Sequence, residues 1–309
     1  MKPKVYIDGK EGTTGLQIYD RLEGRQDIDL LLIAEEKRKD TEERKKLINQ
    51  ADIVFLCLPD AAAIEAVALA ENPDTRIIDA STAHRTNPDW AYGFPELSKA
   101  HREAIVHSKR VANPGCHATG FISVVYPLVA MGLLPRDALL TCFSLTGYSG
   151  GGKKMIAQYE AADREAGLSS PAPYALGQTH KHLPEMQAVC GLAGKPVFVP
   201  IVDDYYKGMA TTVPLHMSQL RGVSTLHDLW KAYAEYYAGQ KLVHVAPEGV
   251  AKLYSNEKAG ANDLTITVAG NDQQFTVTAL FDNLGKGASG AAVQNMNLML
   301  GFEETAGLC

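Results

Sequence analysis

An α/β domain with a doubly wound parallel sheet, followed by an α+β domain with an antiparallel sheet, is the fold predicted by this sequence. Three observations predict it. From residue 4 to residue 81, short apolar β-rich runs alternate with helix-forming stretches. Between residues 264 and 281, apolar residues and threonines alternate with the period of a hairpin. Between these regions, the turn Asn113-Pro114-Gly115 delivers Cys116 to the head of an apolar, helix-length run, Phe121 to Val129.

The first domain is predicted element by element. Lys4–Asp8 is a β-rich run, and Gly9-Lys10-Glu11-Gly12-Thr13-Thr14-Gly15 follows it directly. Leu16, Ile18, Tyr19 and Leu22 then give an amphipathic helix. Strand, spaced glycines and helix together let a pyrophosphate reach backbone N–H groups at a helix N-terminus, as in Rossmann-type folds. The spacing G-x-x-G-x-x-G differs from the G-x-G-x-x-G pattern, so a simple phosphate-free turn stands beside that reading. A second strand is expected over 29–34. Beyond it, Glu35 and Glu36 would suit ribose hydroxyls, whereas Lys37, Arg38 and Lys39 would suit a 2′-phosphate; the basic cluster tips the expectation to NADP(H). Asp52–Pro59 is a continuous apolar run of the kind found in central parallel strands. Residues 61–70 are helix formers, and Arg76–Ser81 is the next strand. His84 and Arg85 follow that strand, where such sheets bind ligands, and Arg85 could clamp a phosphate or carboxylate.

A strand is expected over 139–145, ending in Ser149-Gly150-Gly151-Gly152-Lys153-Lys154, an anion-binding loop or a flexible connection. His180 and His182 stand just ahead of a helix with Pro184 in its first turn. A thiol at a helix N-terminus is biased to the thiolate, and histidine is its natural proton partner. No third or fourth ligand has metal-site spacing near the histidine pair, so no metal is expected. In the hairpin, Leu264, Ile266, Val268, Phe275, Val277, Ala279 and Phe281 share one face, with threonines on the other. A glycine-rich turn over 285–290 then leads into a helix with an apolar stripe of Ala292, Met296, Met299 and Leu300.

Composition narrows the function. With 46% hydrophobic and 21% charged residues, the 309-residue chain is an ordinary globular sequence with ample core for two domains. A net charge of -6 and the lack of a basic run argue against nucleic acid. The five cysteines (57, 116, 142, 190 and 309) are scattered and odd in number, which fits a reducing compartment better than a disulfide framework. The apolar runs are too short for a membrane span and the N-terminus opens on a strand pattern without a signal peptide, so a cytoplasmic location is expected.

Taken together, the glycine turn at 9–15, the stretch Ile78 to Arg85, Tyr92–Leu97, Asn113–Cys116, His180-x-His182-x-Pro184-Glu185 and Asp282–Ala288 resemble the short form of the N-acetyl-γ-glutamyl-phosphate reductases, within the aspartate-semialdehyde and glyceraldehyde-phosphate dehydrogenase group. The resemblance implies NADPH-dependent reduction of N-acetyl-glutamyl 5-phosphate to the 5-semialdehyde and phosphate, in arginine biosynthesis. It implies a dinucleotide domain of residues 1–115 plus 286–309. Residues 116–285 would form a glyceraldehyde-phosphate-dehydrogenase-like catalytic and dimerisation domain, in a homodimer or homotetramer. Cys116 would be the nucleophile and His180 or His182 the acid–base group, with the choice leaning to His180. Gly9, Gly12, Thr13, Thr14, Gly15, Arg38, Gly287 and Asn295 would face the cofactor, and Arg85, Ser149 and Glu185 the substrate. Two departures stand out: His117 where the family carries Phe or Tyr, and Lys207 where arginine is commoner.

Three other functions compete. An aspartate-semialdehyde dehydrogenase would turn over aspartyl phosphate instead. A cysteine hydrolase or acyltransferase would not bind a dinucleotide, and an NADP-sensing regulator would be indifferent to Cys116→Ser.

Overall fold

The computed structural model describes residues 2–308; Cys309 lies outside them. Among the described residues, the chain forms two compact units. The residues up to Pro114, together with those from Ala288 onward, make the first, and Gly115–Gly287 make the second.

The first unit opens with β1 (Lys4–Asp8), α1 (Thr13–Leu22), β2 (Asp29–Leu31), α2 (Thr41–Gln50), β3 (Ile53–Leu56) and α3 (Asp60–Leu69). It continues through β4 (Arg76–Asp79), β5 (Ala91–Tyr92), α4 (Lys99–His107) and β6 (Arg110–Ala112). These strands form one parallel sheet in the order β2-β1-β3-β4-β6-β5. Every residue of β3 is buried, as its continuous apolar run requires of a strand covered on both faces. Tyr6, Ile48, Val54, Leu56, Ala63, Ala66 and Ile77 pack into one core cluster. In α1, Gly15, Ile18 and Leu22 face inward, whereas Leu16, expected on the apolar face, is exposed. β2 is shorter than the expected span, because an edge strand pairs with β1 alone and does so over three residues.

The second unit comprises α5 (Cys116–Ala130), β7 (Thr141–Gly147), α6 (Gly152–Glu160), β8 (Ala172–Pro173), α7 (Leu183–Cys190), β9 (Val197–Asp203) and β10 (Met209–His216). It is completed by α8 (Leu226–Tyr236), β11 (Val243–Val245), β12 (Leu264–Gly270) and β13 (Gln274–Phe281). The hairpin register places Leu264 opposite Phe281, Ile266 opposite Ala279 and Val268 opposite Val277, so the predicted apolar face is buried, as are Thr267, Thr278 and Leu280 on the other face. The sheet as a whole is mixed, not purely antiparallel. Its order is β11-β12-β13-β10-β7-β9-β8, with β7 parallel to β9 and β11 parallel to β12. The chain from β7 to β9 passes through α6 and α7, and a crossover through helices returns the strand in the same direction.

Helix α5 packs on β10, β13 and α7 and is buried over most of its length. Pro127 lies within it and has no N–H for the carbonyl of Ser123, four residues back. The Tyr237 hydroxyl donates to that carbonyl at 2.7 Å, and Tyr233 does the same for Val124 O at 2.7 Å. The carbonyl that the proline leaves without an intrahelical donor is therefore partnered.

Helix α9 (Gly290–Leu300) completes the first unit after a π-turn over Gly285–Ser289. It is buried on all sides and not only along the expected stripe: Gln294, Asn295 and Asn297 have no exposed surface. Gln294 Nε2 donates to Glu96 at 2.7 Å and to Glu304 at 2.8 Å, and Asn297 Nδ2 donates to Glu304 O at 3.0 Å. Among the described residues, no helix is long and apolar enough to cross a membrane.

Candidate active site

In the first unit, the chain leaves β1 through Gly9, whose φ of +86° is the left-handed conformation glycine accepts without strain. A Cβ at Gly9 would run into the Cys57 carbonyl, and one at Gly15 would stand 2.5 Å from Gly9 O. The turn is closed by Gly12 N donating to Gly9 O at 3.0 Å, and α1 begins at Thr13 with no side-chain cap on its first N–H groups. β1 is also where strand order reverses, with β2 on one side and β3 on the other. Gly9, Gly12, Thr13, Thr14 and Gly15 thus form a glycine-rich turn at a helix N-terminus, with small side chains and uncapped backbone N–H groups that fit a dinucleotide pyrophosphate. Arg38 follows β2 as expected, on the surface, in an ion pair with Glu35 at 2.6 Å.

Arg85 and Asn295 both converge on Asn113. Arg85 Nε donates to Asn113 O at 3.0 Å and its Nη2 to Ala80 O at 3.0 Å. Asn295 Nδ2 donates to Asn113 Oδ1 at 3.1 Å and to Gly93 O at 2.9 Å. Asn113 in turn donates through Nδ2 to Ala288 O at 3.0 Å. The turn ahead of the cysteine is held from three directions inside the first unit. The sequence reading did not find the neighbouring dyad: buried Asp79 accepts from Ser81 N and Ser81 Oγ and lies 2.6 Å from His84 Nδ1. Trp90 stacks on the His84 ring at 4.0 Å.

In the second unit, Cys116 is the first residue of α5 and Gly115 is its N-cap, with no side chain to occupy the first-turn N–H groups. Glu185, buried on α7, accepts from Gly115 N at 2.8 Å. Gly287, expected at the cofactor, packs on Cys116: a Cβ there would lie 3.1 Å from Cys116 Cβ. His180 and His182 precede α7, whose first turn holds Pro184 as predicted. Their rings lie 4.8 Å apart, and His182 N donates to His180 Nδ1 at 3.3 Å.

His117 is the third ring of this cluster, 5.5 Å from His180 and 5.6 Å from His182. It is buried, with Nδ1 2.7 Å from Ser144 Oγ and Nε2 2.8 Å from the Tyr174 hydroxyl. Phe198 closes over both His117 and His180, at 5.2 and 5.1 Å. Burial pulls the His117 pKa down to about 3, helped by His180 and Lys181. His180 is lowered to about 4 by burial and then by Lys181. Both rings are neutral at neutral pH. Burial pushes the thiols of Cys57, Cys142 and Cys190 upward, which suits packing and not attack.

Ser149, expected at the substrate, is buried, and its Oγ accepts from Asn283 Nδ2 at 3.0 Å. Lys153 and Lys154 are exposed on the first turn of α6. Tyr174 and Ser144 carried no signal in the sequence, because each is a lone residue far along the chain from His117, the histidine it bonds.

The architecture matches solved structures throughout. Aspartate semialdehyde dehydrogenase II from Vibrio cholerae superposes with a TM-score of 0.75 at 16% identity, covering 97% of this chain and 98% of that one. The Candida albicans aspartate semialdehyde dehydrogenase with NADP gives a TM-score of 0.67 at 14% identity, covering 97% and 99%. Residues 4–105 match the semialdehyde dehydrogenase NAD binding domain, and residues 116–283 match the semialdehyde dehydrogenase dimerisation domain. Fold and site thus define a semialdehyde-dehydrogenase-type protein with an NAD-binding domain and a dimerisation domain. N-acetyl-gamma-glutamyl-phosphate reductase 2 from Nostoc sp. is 46% identical over 99% of both chains. The enzyme of that name from Pseudomonas putida is 46% identical over 99% of this chain and 99% of its own. The chain belongs to the N-acetyl-gamma-glutamyl-phosphate reductase family.

Proposed function

We propose that this protein reduces N-acetyl-γ-glutamyl phosphate to N-acetylglutamate 5-semialdehyde and phosphate with NADPH, a step toward arginine. The observation that carries the reading is Cys116 at the head of α5, beside a cluster of three buried or half-buried histidine rings.

The chemistry begins with the Cys116 thiol. Neutral His180 takes its proton, and the helix N-terminus favours the thiolate that remains. The thiolate attacks the acyl carbon, the bond to the phosphate oxygen breaks, and Cys116 is left as a thioester. Backbone N–H groups at the start of α5 stabilise the oxyanion of the tetrahedral intermediate. Hydride to the thioester carbon is what NADPH supplies when bound. His180 returns its proton to the resulting oxyanion, giving a thiohemiacetal. It then accepts the hydroxyl proton as the C–S bond breaks and the aldehyde leaves. His182, whose ring lies 4.8 Å from that of His180, packs beside it.

The other residues take supporting roles in this reading. Arg85 is assigned to the phosphate end of the substrate. Asn295 holds Asn113 in the first unit, and Glu185 holds Gly115, next to Cys116, in the second. Ser149 acts through Asn283, and Gly287 keeps space beside the nucleophile. The glycine cradle holds the pyrophosphate of NADP(H), with Arg38 available to a 2′-phosphate. The protein acts in the cytoplasm as a homodimer or homotetramer. Its partners are the small acyl phosphate and inorganic phosphate, with no role for nucleic acid or a membrane. The outer face of the second sheet carries exposed Phe143 and Val197 and is assigned to subunit contact.

Phosphate-dependent reduction of NADP+ by N-acetylglutamate 5-semialdehyde tests the reading. Activity should require phosphate and fall by about 10³-fold or more in Cys116→Ser, the scale seen when a nucleophile is removed. A folded wild-type protein that is inactive with this semialdehyde would sink it.

A further inference from the structure

We infer that Arg44 is a positioning residue for the dinucleotide: it cancels the buried charge of Asp8 at the entry to the glycine turn, so that the turn can receive an anionic pyrophosphate. The inference rests on the dinucleotide reading of that turn and deepens it.

The geometry lies entirely within the first unit. Asp8 is the last residue of β1 and the chain neighbour of Gly9, where the backbone turns into the left-handed region. Its side chain is buried and follows three core residues, Val5, Tyr6 and Ile7. Arg44, also buried, reaches it from α2. Its Nη2 donates to Asp8 Oδ2 at 2.9 Å, and its Nε meets both carboxylate oxygens at 3.2 Å. The other carboxylate near Arg44, Glu65 on α3, is 3.8 Å away and more than half exposed, so Asp8 is the main partner. The Tyr6 phenol, two residues back on the same side of the strand, is kept from ionising by burial and then by the charge of Asp8. Cys57 N donates to Asp8 O at 2.8 Å, which fixes β1 up to the residue before the turn.

Charge decides what this pair does. From Asp8 to Gly15 the charged residues are Asp8, Lys10 and Glu11, which leaves one net negative charge at the turn assigned to a pyrophosphate. Lys10 itself lies over the Tyr19 ring of α1, 3.1 Å from its centroid. Arg44 brings the local sum to zero. Stability alone is a weak reason for such a pair, because desolvating two ions costs about what their attraction returns and an apolar pair of the same size packs as well. A buried carboxylate without its cation is another matter. Water and salt screen it little, so it would repel pyrophosphate oxygens at the adjoining turn. The uncapped N–H groups and the dipole at the start of α1 favour an anion, and a fixed negative charge beside them would oppose it. Arg44 removes that opposition while leaving the turn itself free of side chains larger than its own.

The test is a cycle of Asp8→Asn, Arg44→Gln and the double variant in the full chain, with circular dichroism to verify folding. Each protein is titrated with NADPH and with NADH by cofactor fluorescence, which needs neither substrate nor turnover. Arg44→Gln should weaken both cofactors by about 10-fold, the scale of one charge interaction near the surface of a folded domain. Asp8→Asn should bind as tightly as the wild type or more tightly. The double variant should return to within about threefold of the wild type, since removing both partners leaves no unpaired ion. A pair that serves packing alone gives another order: both single variants weaken binding and the double variant is no better. That order would overturn the inference, as would an Arg44→Gln variant that binds like the wild type. A loss confined to NADPH would also overturn it, because Arg44 would then act on the 2′-phosphate. If Arg44→Gln does not fold, Arg44→Lys takes its place, keeping the charge without the forked grip. Its affinity should stay within about threefold of the wild type, and a loss of about 10-fold would contradict the inference. A wild type that binds neither cofactor would overturn the inference together with the dinucleotide reading, whereas wild-type binding with the wrong order of variants would overturn the inference alone.

Discussion

His117 and His180 share a physical cause for their neutrality, and it gives a pH dependence to the whole fold. Their pKa values of about 3 and about 4 lie below the ordinary histidine value of 6.5, with burial as the largest cause. The unfolded chain therefore binds protons near pH 6.5 that the folded chain refuses until the pH reaches the lower values. Stability is fully present above about pH 6.5 and declines as the pH falls toward 3 to 4, at up to about 1.4 kcal/mol per pH unit for each proton. Denaturant titrations between pH 7 and 4.5 should show this loss, and His117→Phe should flatten it; an unchanged slope would contradict the burial account. Cys116, His180 and His182 stood out in the sequence by residue type and placement, and the structure sets the two histidine rings 4.8 Å apart. The partners of His117 did not stand out, because Ser144 and Tyr174 lie 27 and 57 residues away and only the tertiary fold joins them.

At the scale of single elements, α5 is the helix on which the site depends. Gly120 lets it approach β10: a Cβ there would collide with the Thr211 side chain, whose hydroxyl bonds that of Ser144. Gly120→Ala is expected to destabilise the protein by about 1–3 kcal/mol, as overpacked cores do. Urea denaturation measures it, and a neutral effect would show that the helix has room to shift. Asn295 on α9 makes a second case. Its amide is fully buried and bonded to Asn113 and Gly93, so Asn295→Ala should cost about 1–3 kcal/mol through the polar groups it abandons. A variant that keeps its stability and loses only cofactor affinity would favour the cofactor role expected for Asn295 over this structural one. The stripe of α9 was readable from helical periodicity, but its full burial was not. That depends on Glu96 and Glu304 meeting Gln294, which no local pattern announces. Strand and hairpin registers were readable because a two-residue period leaves one choice of buried face. The parallel β7–β9 pair was not, since it follows from the route of a long connection.

On the scale of the whole molecule, the two units divide the labour of the proposed reaction. The first has the cradle for a dinucleotide and the second has the thiol with its histidines, and the chain passes from one to the other at Pro114–Gly115, directly before Cys116. Residues 116–283 match a dimerisation domain, and the proposed subunit contact is assigned to it. Phe143, 40% exposed at the middle of β7, and Val197, 54% exposed on β9, mark its open apolar face. Phe143→Asp should shift the particle to a smaller mass by light scattering, and an unchanged mass would move the interface elsewhere.

The central claim is that carbon is transferred to Cys116 before hydride arrives. Mass spectrometry of the protein mixed with N-acetyl-γ-glutamyl phosphate in the absence of NADPH tests it most directly. The account predicts an N-acetylglutamyl adduct on the peptide containing Cys116, absent in Cys116→Ser and discharged as the semialdehyde when NADPH is added. Turnover without any adduct on Cys116, or an adduct that NADPH does not discharge, would contradict it.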